Sequence, residues 1–271
     1  MIFFPPAKIN LGLYVHGKRV DMYHEIESCM VTIPFTDILE IIPATEFEFK
    51  QTGLIVDTDP ASNLCVKAFR LMQSCFGIPN VYMHLRKQIP MGAGLGGGSA
   101  DAAYVIRALI ELFSINCTEE QQLELAGQLG SDCPFFIKKS PQIASGRGEI
   151  LTPSSVSLAG YWLKLINPGI HVGTKEAYAG IQFVDHDRPS IESILRRPIH
   201  EWKDFLVNDF ERSIFPIFPV IQELKEQMYH EGAVYAAMSG SGSTVFGLFE
   251  NKPESITSKQ PNYIEKICFL D

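Results

Sequence analysis

The stretch Pro90-Met-Gly-Ala-Gly-Leu-Gly-Gly-Gly-Ser99 constrains this chain more than any other. Five of the seven residues from Gly92 to Gly98 are glycine, and residues 100–110 then read as an apolar helix. Glycine lets backbone N–H groups turn toward a ligand without interference from a Cβ. A helix N-terminus adds unpaired N–H donors and the positive end of a dipole. Together they predict a phosphate cradle at a loop-to-helix junction. A flexible linker has a similar composition, but linkers rarely open directly onto an apolar helix.

The neighbouring sequence narrows the kind of cradle. Gly92-x-Gly94-x-x-Gly97 has the spacing of a dinucleotide-binding loop. The preceding residues, 81–87, alternate Val81, Met83 and Leu85 with His84 and Arg86. That alternation predicts a strand with one wet face, as in an antiparallel sheet, whereas the parallel strands of a dinucleotide fold are apolar on both faces. Downstream, Thr118-Glu-Glu-Gln121 has capping-box spacing and predicts a helix over 119–129, where a dinucleotide unit needs a strand. No Gly-Lys-Ser/Thr follows the glycines, which excludes a Walker loop, and the His-Arg-Asp and Asp-Phe-Gly of protein kinases are missing.

A chain of 271 residues allows one large domain or two ordinary ones. Its net charge of −8 argues against nucleic acid or an anionic membrane as the main partner. A phosphate ligand must then be held by local donors, such as a glycine cradle and one or two lysines. No run of ~18 apolar residues predicts a membrane-spanning helix. The opening Met-Ile-Phe-Phe-Pro-Pro lacks the basic region and long apolar core of a signal peptide. Cys29, Cys65, Cys75, Cys117, Cys133 and Cys268 are scattered without a C-x-x-C pair, so reduced core thiols and a cytoplasmic location are expected.

Strands are predicted over 2–15, 25–33, 37–50 (with a turn near Pro43) and 134–151, and a helix over 63–76. Pro153-Ser-Ser-Val-Ser157 suggests a break that divides the chain into domains 1–155 and 156–271. The second half reads as a strand at 161–166, a helix opening at Thr174 with that residue as its cap, and a helix over 219–231. Strands follow at 233–238, 244–249 and 263–270, and the region 183–203 reads as helix and loop. The class is α+β.

Four further groups carry chemistry. Lys8 and Asn10 project to one side of an otherwise apolar strand; Lys8 either snorkels from an edge or has a buried partner. Tyr23-His24 offers a stacking face and a hydrogen-bonding edge, suited to a flat ring such as a nucleobase, or is a turn with a half-buried tyrosine. In Gly130-Ser-Asp-Cys-Pro134, Gly130 reads as a helix C′ cap, and Asp132 precedes a predicted strand containing Phe135, Phe136 and Ile137. A carboxylate there is a turn residue unless it faces a ligand. Ser239-Gly-Ser-Gly-Ser243 is a hairpin turn or a place where backbone approaches a ligand closely.

Pro6-Ala-Lys8, the glycine stretch ending at Ser99, and Ser239-Gly-Ser-Gly242 before a strand, in that order, resemble the small-molecule kinases that include galactokinase, homoserine kinase, mevalonate kinase and phosphomevalonate kinase, the GHMP kinases. Pro6-Ala-Lys-Ile-Asn-Leu11, Tyr23-His24, Asn63-Leu-x-x-Lys67-Ala68, Gly94 to Ala103 and Gly130-Ser-Asp-x-Pro134 are similar to members acting on a cytidine diphosphate-linked methylerythritol. The Gly-Glu-His of mevalonate kinases and galactokinases is missing, and Met22 stands where glycine is usual.

The resemblance implies an N-terminal domain like ribosomal protein S5, a C-terminal α/β-plait-like domain and an active site in the cleft between them. It implies ATP and Mg²⁺, with Lys8 and Asp132 as the catalytic pair. Pro90, Met91, Gly92, Ala93, Gly94, Leu95, Gly96, Gly97, Gly98, Ser99 and Ala100 would surround the ATP phosphates, with Ser99 near the magnesium and Asn63 on the adenine side. Tyr23 and Tyr178 would sandwich cytosine, His24 would bond its edge, and Asn10 and Thr174 would touch the acceptor. Another kinase of the family, or a non-catalytic nucleotide-binding member, is the alternative.

Overall fold

A computed structural model describes residues 1–54, 62–138, 140–181, 188–255 and 262–271. In chain order its elements are β1 (Ile2–Phe3), β2 (Pro6–Lys18), β3 (His24–Thr36), β4 (Ile38–Pro43), β5 (Glu48–Gly53), α1 (Leu64–Phe76), β6 (Val81–Lys87), α2 (Gly97–Leu112), α3 (Glu119–Leu129), α4 (Cys133–Ile137), β7 (Gln142–Ser145) and β8 (Ile150–Pro153). They continue with β9 (Trp162–Asn167), α5 (Thr174–Ala179), α6 (Ile191–Leu195), α7 (Trp202–Phe205), α8 (Glu211–Ile214), α9 (Pro219–His230), β10 (Tyr235–Met238), β11 (Val245–Phe249) and β12 (Ile264–Phe269). The class is α+β, as the sequence predicts. Residues 183–187 of the expected helix-and-loop region lie outside the described residues.

Contacts gather the chain into two compact units. The first comprises Met1–Ala7, Phe35–Met91 and Gly96–Lys139, and the second Lys8–Pro34, Gly92–Leu95 and Ser140–Asp271. The first holds a sheet in the order β1-β4-β6-β5. Strand β6 runs antiparallel to β4 and parallel to β5. Val81, Met83 and Leu85 are buried along it while Tyr82, His84 and Arg86 are not, which is the wet-faced pattern the alternation predicts. Helix α1 opens where Asn63 Oδ1 accepts from the Cys65 N–H at 2.9 Å, and it closes at left-handed Gly77. Helix α2 buries Ala100, Ala102, Ala103, Val105, Ile106, Ala108 and Leu109, so it is apolar on most of its circumference. Helix α3 begins at the expected capping box, with both reciprocal bonds between Thr118 and Gln121 present.

Two expectations in this region are corrected. Residues 133–137 form a helix, not a strand, with Pro134 in its first turn, where the missing N–H costs nothing. Phe135, Phe136 and Ile137 are all buried, and an unbroken apolar run has no period that separates strand from helix. Gly130 ends α3 with an extended backbone, φ 171°, instead of the left-handed cap.

The second unit holds two sheets, ordered β2-β3-β7-β8 and β10-β11-β9-β12. Strands β10 and β11 form the predicted antiparallel hairpin, with Met238 opposite Val245 across the Ser239–Ser243 turn. Ile221, Leu224 and Met228 of α9 pack into a core with Leu13, Val15, Ile166 and Phe210. Gly173, not Thr174, is the N-cap of α5; Thr174 is its first residue and is exposed. All six cysteines are free thiols. Among the described residues no helix is long and apolar enough to cross a membrane.

Candidate active site

The glycine stretch contributes to both units. Gly92, Gly94 and Gly96 have φ of 62°, 78° and 67°, the left-handed region that residues with a Cβ avoid. At Gly94 a Cβ would lie 1.9 Å from the Ser239 carbonyl oxygen, so nothing but glycine fits. Gly96 is the N-cap of α2 and supplies no side-chain cap. The first N–H groups of α2 have no intrahelical acceptor, and the helix dipole is positive there. An anion suits that end.

In the second unit the Lys8 and Asn10 side chains are both buried, each residue 4% exposed. Lys8 Nζ donates to Asn10 Oδ1 and, at 3.0 Å, to the Gly94 carbonyl. Asn10 Nδ2 donates to Ser28 Oγ at 2.8 Å, and Ser28 Oγ donates to the Gly12 carbonyl at 2.7 Å. The Lys8 N–H reaches the Leu95 carbonyl at 2.9 Å. Lys8 is thus a buried, partnered ammonium aimed at the glycine loop, and the snorkelling alternative falls.

In the first unit a cavity of about 90 Å³ is lined by Gln51, Asn63, Lys87, Met91, Gly98 and Asp101, among others. It joins the expected adenine-side residue Asn63 to Met91 and Gly98 of the glycine stretch. Beneath it lies a cluster that the sequence does not announce. Lys87 donates to Asp101 Oδ2 at 2.7 Å and to Asp37 Oδ2, while Asp37 Oδ1 accepts from the Ile89 N–H at 2.9 Å. Asp37 and Lys87 are 50 residues apart, and Asp37 falls at the start of the strand predicted over 37–50, with nothing to mark it. Burial, with the like charge of Asp37, pushes the Asp101 carboxyl up to about 7 against the pull of Lys87. Burial works to lower the Lys87 pKa, but Asp101 and Asp37 outweigh it and the pKa is raised. Asp101 Oδ1 is buried and has no hydrogen-bond partner among the described residues.

Of the expected acceptor residues, Tyr178 stacks on His24 with ring centroids 4.4 Å apart and an interplanar angle of 17°. Burial and the charge of Lys18 lower the His24 pKa, favouring the neutral ring. Tyr23 is 56% exposed and carries the Arg147 guanidinium over its ring at 4.7 Å. Asp132 is half-buried at the start of α4, in the first unit, and Lys8 belongs to the second. Ser99 is half-buried in the first turn of α2, hydrogen-bonded with Cys133, whose thiol burial pushes up to about 11.

A model of the GHMP kinases N terminal domain matches residues 63–140, and one of the GHMP kinases C terminal region matches residues 190–260. The chain belongs to the GHMP kinase family and is an ATP-dependent small-molecule kinase. Its relatives include the 4-diphosphocytidyl-2-C-methyl-D-erythritol kinase of Cytophaga hutchinsonii, 49% identical over 263 residues and covering 97% of each chain. The protein of that name from Bacteroides fragilis is 47% identical over 275 residues, covering 99% of this chain and 98% of its own. A crystal structure of 4-(cytidine 5'-diphospho)-2C-methyl-D-erythritol kinase matches with a TM-score of 0.81 at 33% identity, covering 93% of this chain and 91% of its own. A mevalonate kinase, at 12% identity and a TM-score of 0.72 over 100% of this chain and 99% of its own, shares the fold.

Proposed function

We propose that the chain transfers the γ-phosphoryl group of ATP to the 2-hydroxyl of 4-diphosphocytidyl-2-C-methyl-D-erythritol, a step of non-mevalonate isoprenoid precursor synthesis in the cytoplasm. The observation that carries this reading is the near-full-length likeness to enzymes of that name, 49% identical in one case. Phosphoryl transfer asks a protein for positioning and charge stabilisation more than for covalent chemistry. In this reading Asp132 accepts the hydroxyl proton, and Lys8 is the cation of the catalytic pair. Residues Pro90 to Ala100 hold the phosphates through backbone N–H groups, and Asn63 lies on the adenine side. Tyr23 and Tyr178 offer faces to cytosine, His24 bonds its edge, and Asn10 and Thr174 touch the acceptor. Magnesium prefers hard oxygen donors and is bound through few protein ligands plus phosphate oxygens; the Ser99 hydroxyl on the first turn of α2 suits that role. When bound, the ion would neutralise charge on the transferring phosphoryl group. We also propose domains 1–155 and 156–271, a division supported by family-model matches that fall on either side of it.

Incubation with ATP, Mg²⁺ and the cytidyl substrate tests the reading, with homoserine and mevalonate as competing acceptors. Phosphorylation of either competitor in preference to the cytidyl alcohol overturns it. Asp132→Asn is expected to lower kcat by ~100- to 10,000-fold with little change in KM for ATP; unchanged turnover removes Asp132 from the chemistry. Tyr23→Ala is expected to raise KM for the cytidyl substrate, by ~1–3 kcal/mol of lost stacking.

A further inference from the structure

Asn208, Asp209 and Glu211 belong to no motif in the sequence, yet they are only 2%, 3% and 7% exposed. Every one of them is fully engaged. Asn208 Nδ2 donates to the Met238 carbonyl at 2.7 Å and the Gly240 carbonyl at 2.8 Å, while its Oδ1 accepts from the Phe210 N–H at 3.0 Å. Glu211 Oε1 accepts from the Met238 N–H at 2.8 Å, and Oε2 from Lys225 at 2.6 Å. Asp209 Oδ2 accepts from the Val15 N–H at 2.8 Å, and both its oxygens take the Arg188 guanidinium. The backbone of the same segment pairs with β2, the Leu13 N–H donating to Val207 and the Asp209 N–H donating to Leu13. One short segment therefore grips the strand that carries Lys8 and Asn10 and, on its other side, the end of β10 and the turn beyond it.

That turn reaches the glycine loop within the same unit. Ser239 Oγ donates to the Gly94 carbonyl at 2.8 Å, the same oxygen to which Lys8 Nζ donates at 3.0 Å. A Cβ on Gly240 would stand 3.2 Å from Gly94 Cα and 3.3 Å from Asn10 Oδ1, so the turn has no slack. We propose that Asn208 is a positioning residue for phosphoryl transfer, fixing Met238 to Gly240 so that Ser239 and Lys8 converge on the Gly94 carbonyl. The proposal rests on the roles assigned above to Lys8 and the glycine loop. Only an amide offers two N–H donors and an acceptor on one planar group of this size. A serine keeps at most one of the donors, and an alanine none.

A double-mutant cycle on the full chain tests this. Asn208→Ala is expected to lower kcat/KM for ATP by ~10- to 100-fold, since small misplacements of reacting groups cost rate out of proportion to their size. KM for the cytidyl acceptor stays within about two-fold, because Asn208 acts on the loop side of the site. Ser239→Ala lowers kcat/KM in the same direction, and the double variant is no worse than the more severe single one, as coupled residues require. Losses that multiply in the double variant, or a folded Asn208→Ala within about two-fold of wild type, overturn the proposal. Should Asn208→Ala fail to fold, Asn208→Ser takes its place in the cycle, with the same pattern expected and the same results fatal. Affinity for a fluorescent ATP analogue, measured without acceptor, separates this inference from the substrate assignment. If wild type ignores the cytidyl alcohol but Asn208→Ser weakens nucleotide binding at least about five-fold, the substrate reading fails and the positioning role stands. Unchanged nucleotide affinity together with unchanged kcat/KM for ATP sinks the positioning role.

Discussion

Met22 sits in the left-handed region with φ 69° and is 70% exposed. The turn around it is closed by the Arg19 N–H donating to the Tyr23 carbonyl at 2.7 Å and the Met22 N–H donating to the Arg19 carbonyl at 3.1 Å. A side chain in this conformation costs ~1–2 kcal/mol, and glycine avoids it at an entropic cost of ~0.5–1 kcal/mol. Met22→Gly is therefore expected to raise stability by up to ~1 kcal/mol in urea unfolding, and a lowered midpoint contradicts the strain. Asp101 gives a second expectation at this scale. Its folded pKa of about 7 lies above the ordinary 3.8, chiefly through burial, so the folded state holds a proton that the unfolded chain releases between those values. Its contribution to stability is fully present below about pH 4 and lost as pH rises through about 7. Asp101→Asn should flatten that decline in the thermal midpoint, and a slope identical to wild type would show that another group titrates. Lys8 and Asn10 were legible as polar residues sharing one side of an apolar strand, but their burial was not, because a lysine stem can also snorkel from an edge. Asp37 and Asn208 were not legible at all. Asp37 falls at the start of a predicted strand and Asn208 in a stretch with no predicted element, and neither has a visible role until the fold brings its partners, 50 and 30 residues distant, into reach.

Helices whose ends are written in side-chain chemistry were the most legible elements. Asn63 and Thr118 each accept a backbone N–H from the following turn, and α1 and α3 begin there. Thr118→Ala is expected to cost about 1 kcal/mol, read as a shift in urea midpoint at unchanged slope, and no shift would mean that packing alone sets the start of α3. Elements without such marks were misread. Residues 133–137 lack polar positions, so neither period is available, and the choice of helix falls to tertiary packing around Phe135 and Phe136. At α5 the cap falls one residue earlier than expected, at Gly173 in place of Thr174, and glycine has no side chain with which to mark it. The glycine stretch was legible as a loop opening onto a helix, but its distribution between two compact units was not. Sequence adjacency carries no information about which contacts each half will make.

At the scale of the whole molecule, 31 acidic and 23 basic side chains leave a net charge of −8 on a protein that binds ATP, itself a polyanion. A broad positive field cannot be the source of that affinity. The attractive groups must be short-range, the role proposed above for the backbone N–H donors of residues 90–100. Salt discriminates between the two arrangements. Exposed charges further apart than ~10 Å are largely screened at 0.1 M ionic strength, whereas buried donors in contact with a ligand are screened much less. The remote charge of this protein repels ATP, so screening should help binding slightly or leave it unaltered. With magnesium saturating, raising monovalent salt from about 20 to about 200 mM is expected to leave KM for ATP within about two-fold or to lower it. A rise of ten-fold or more, the behaviour of a protein that holds phosphates by releasing counterions, would mean that a basic surface and not the glycine cradle supplies the binding energy.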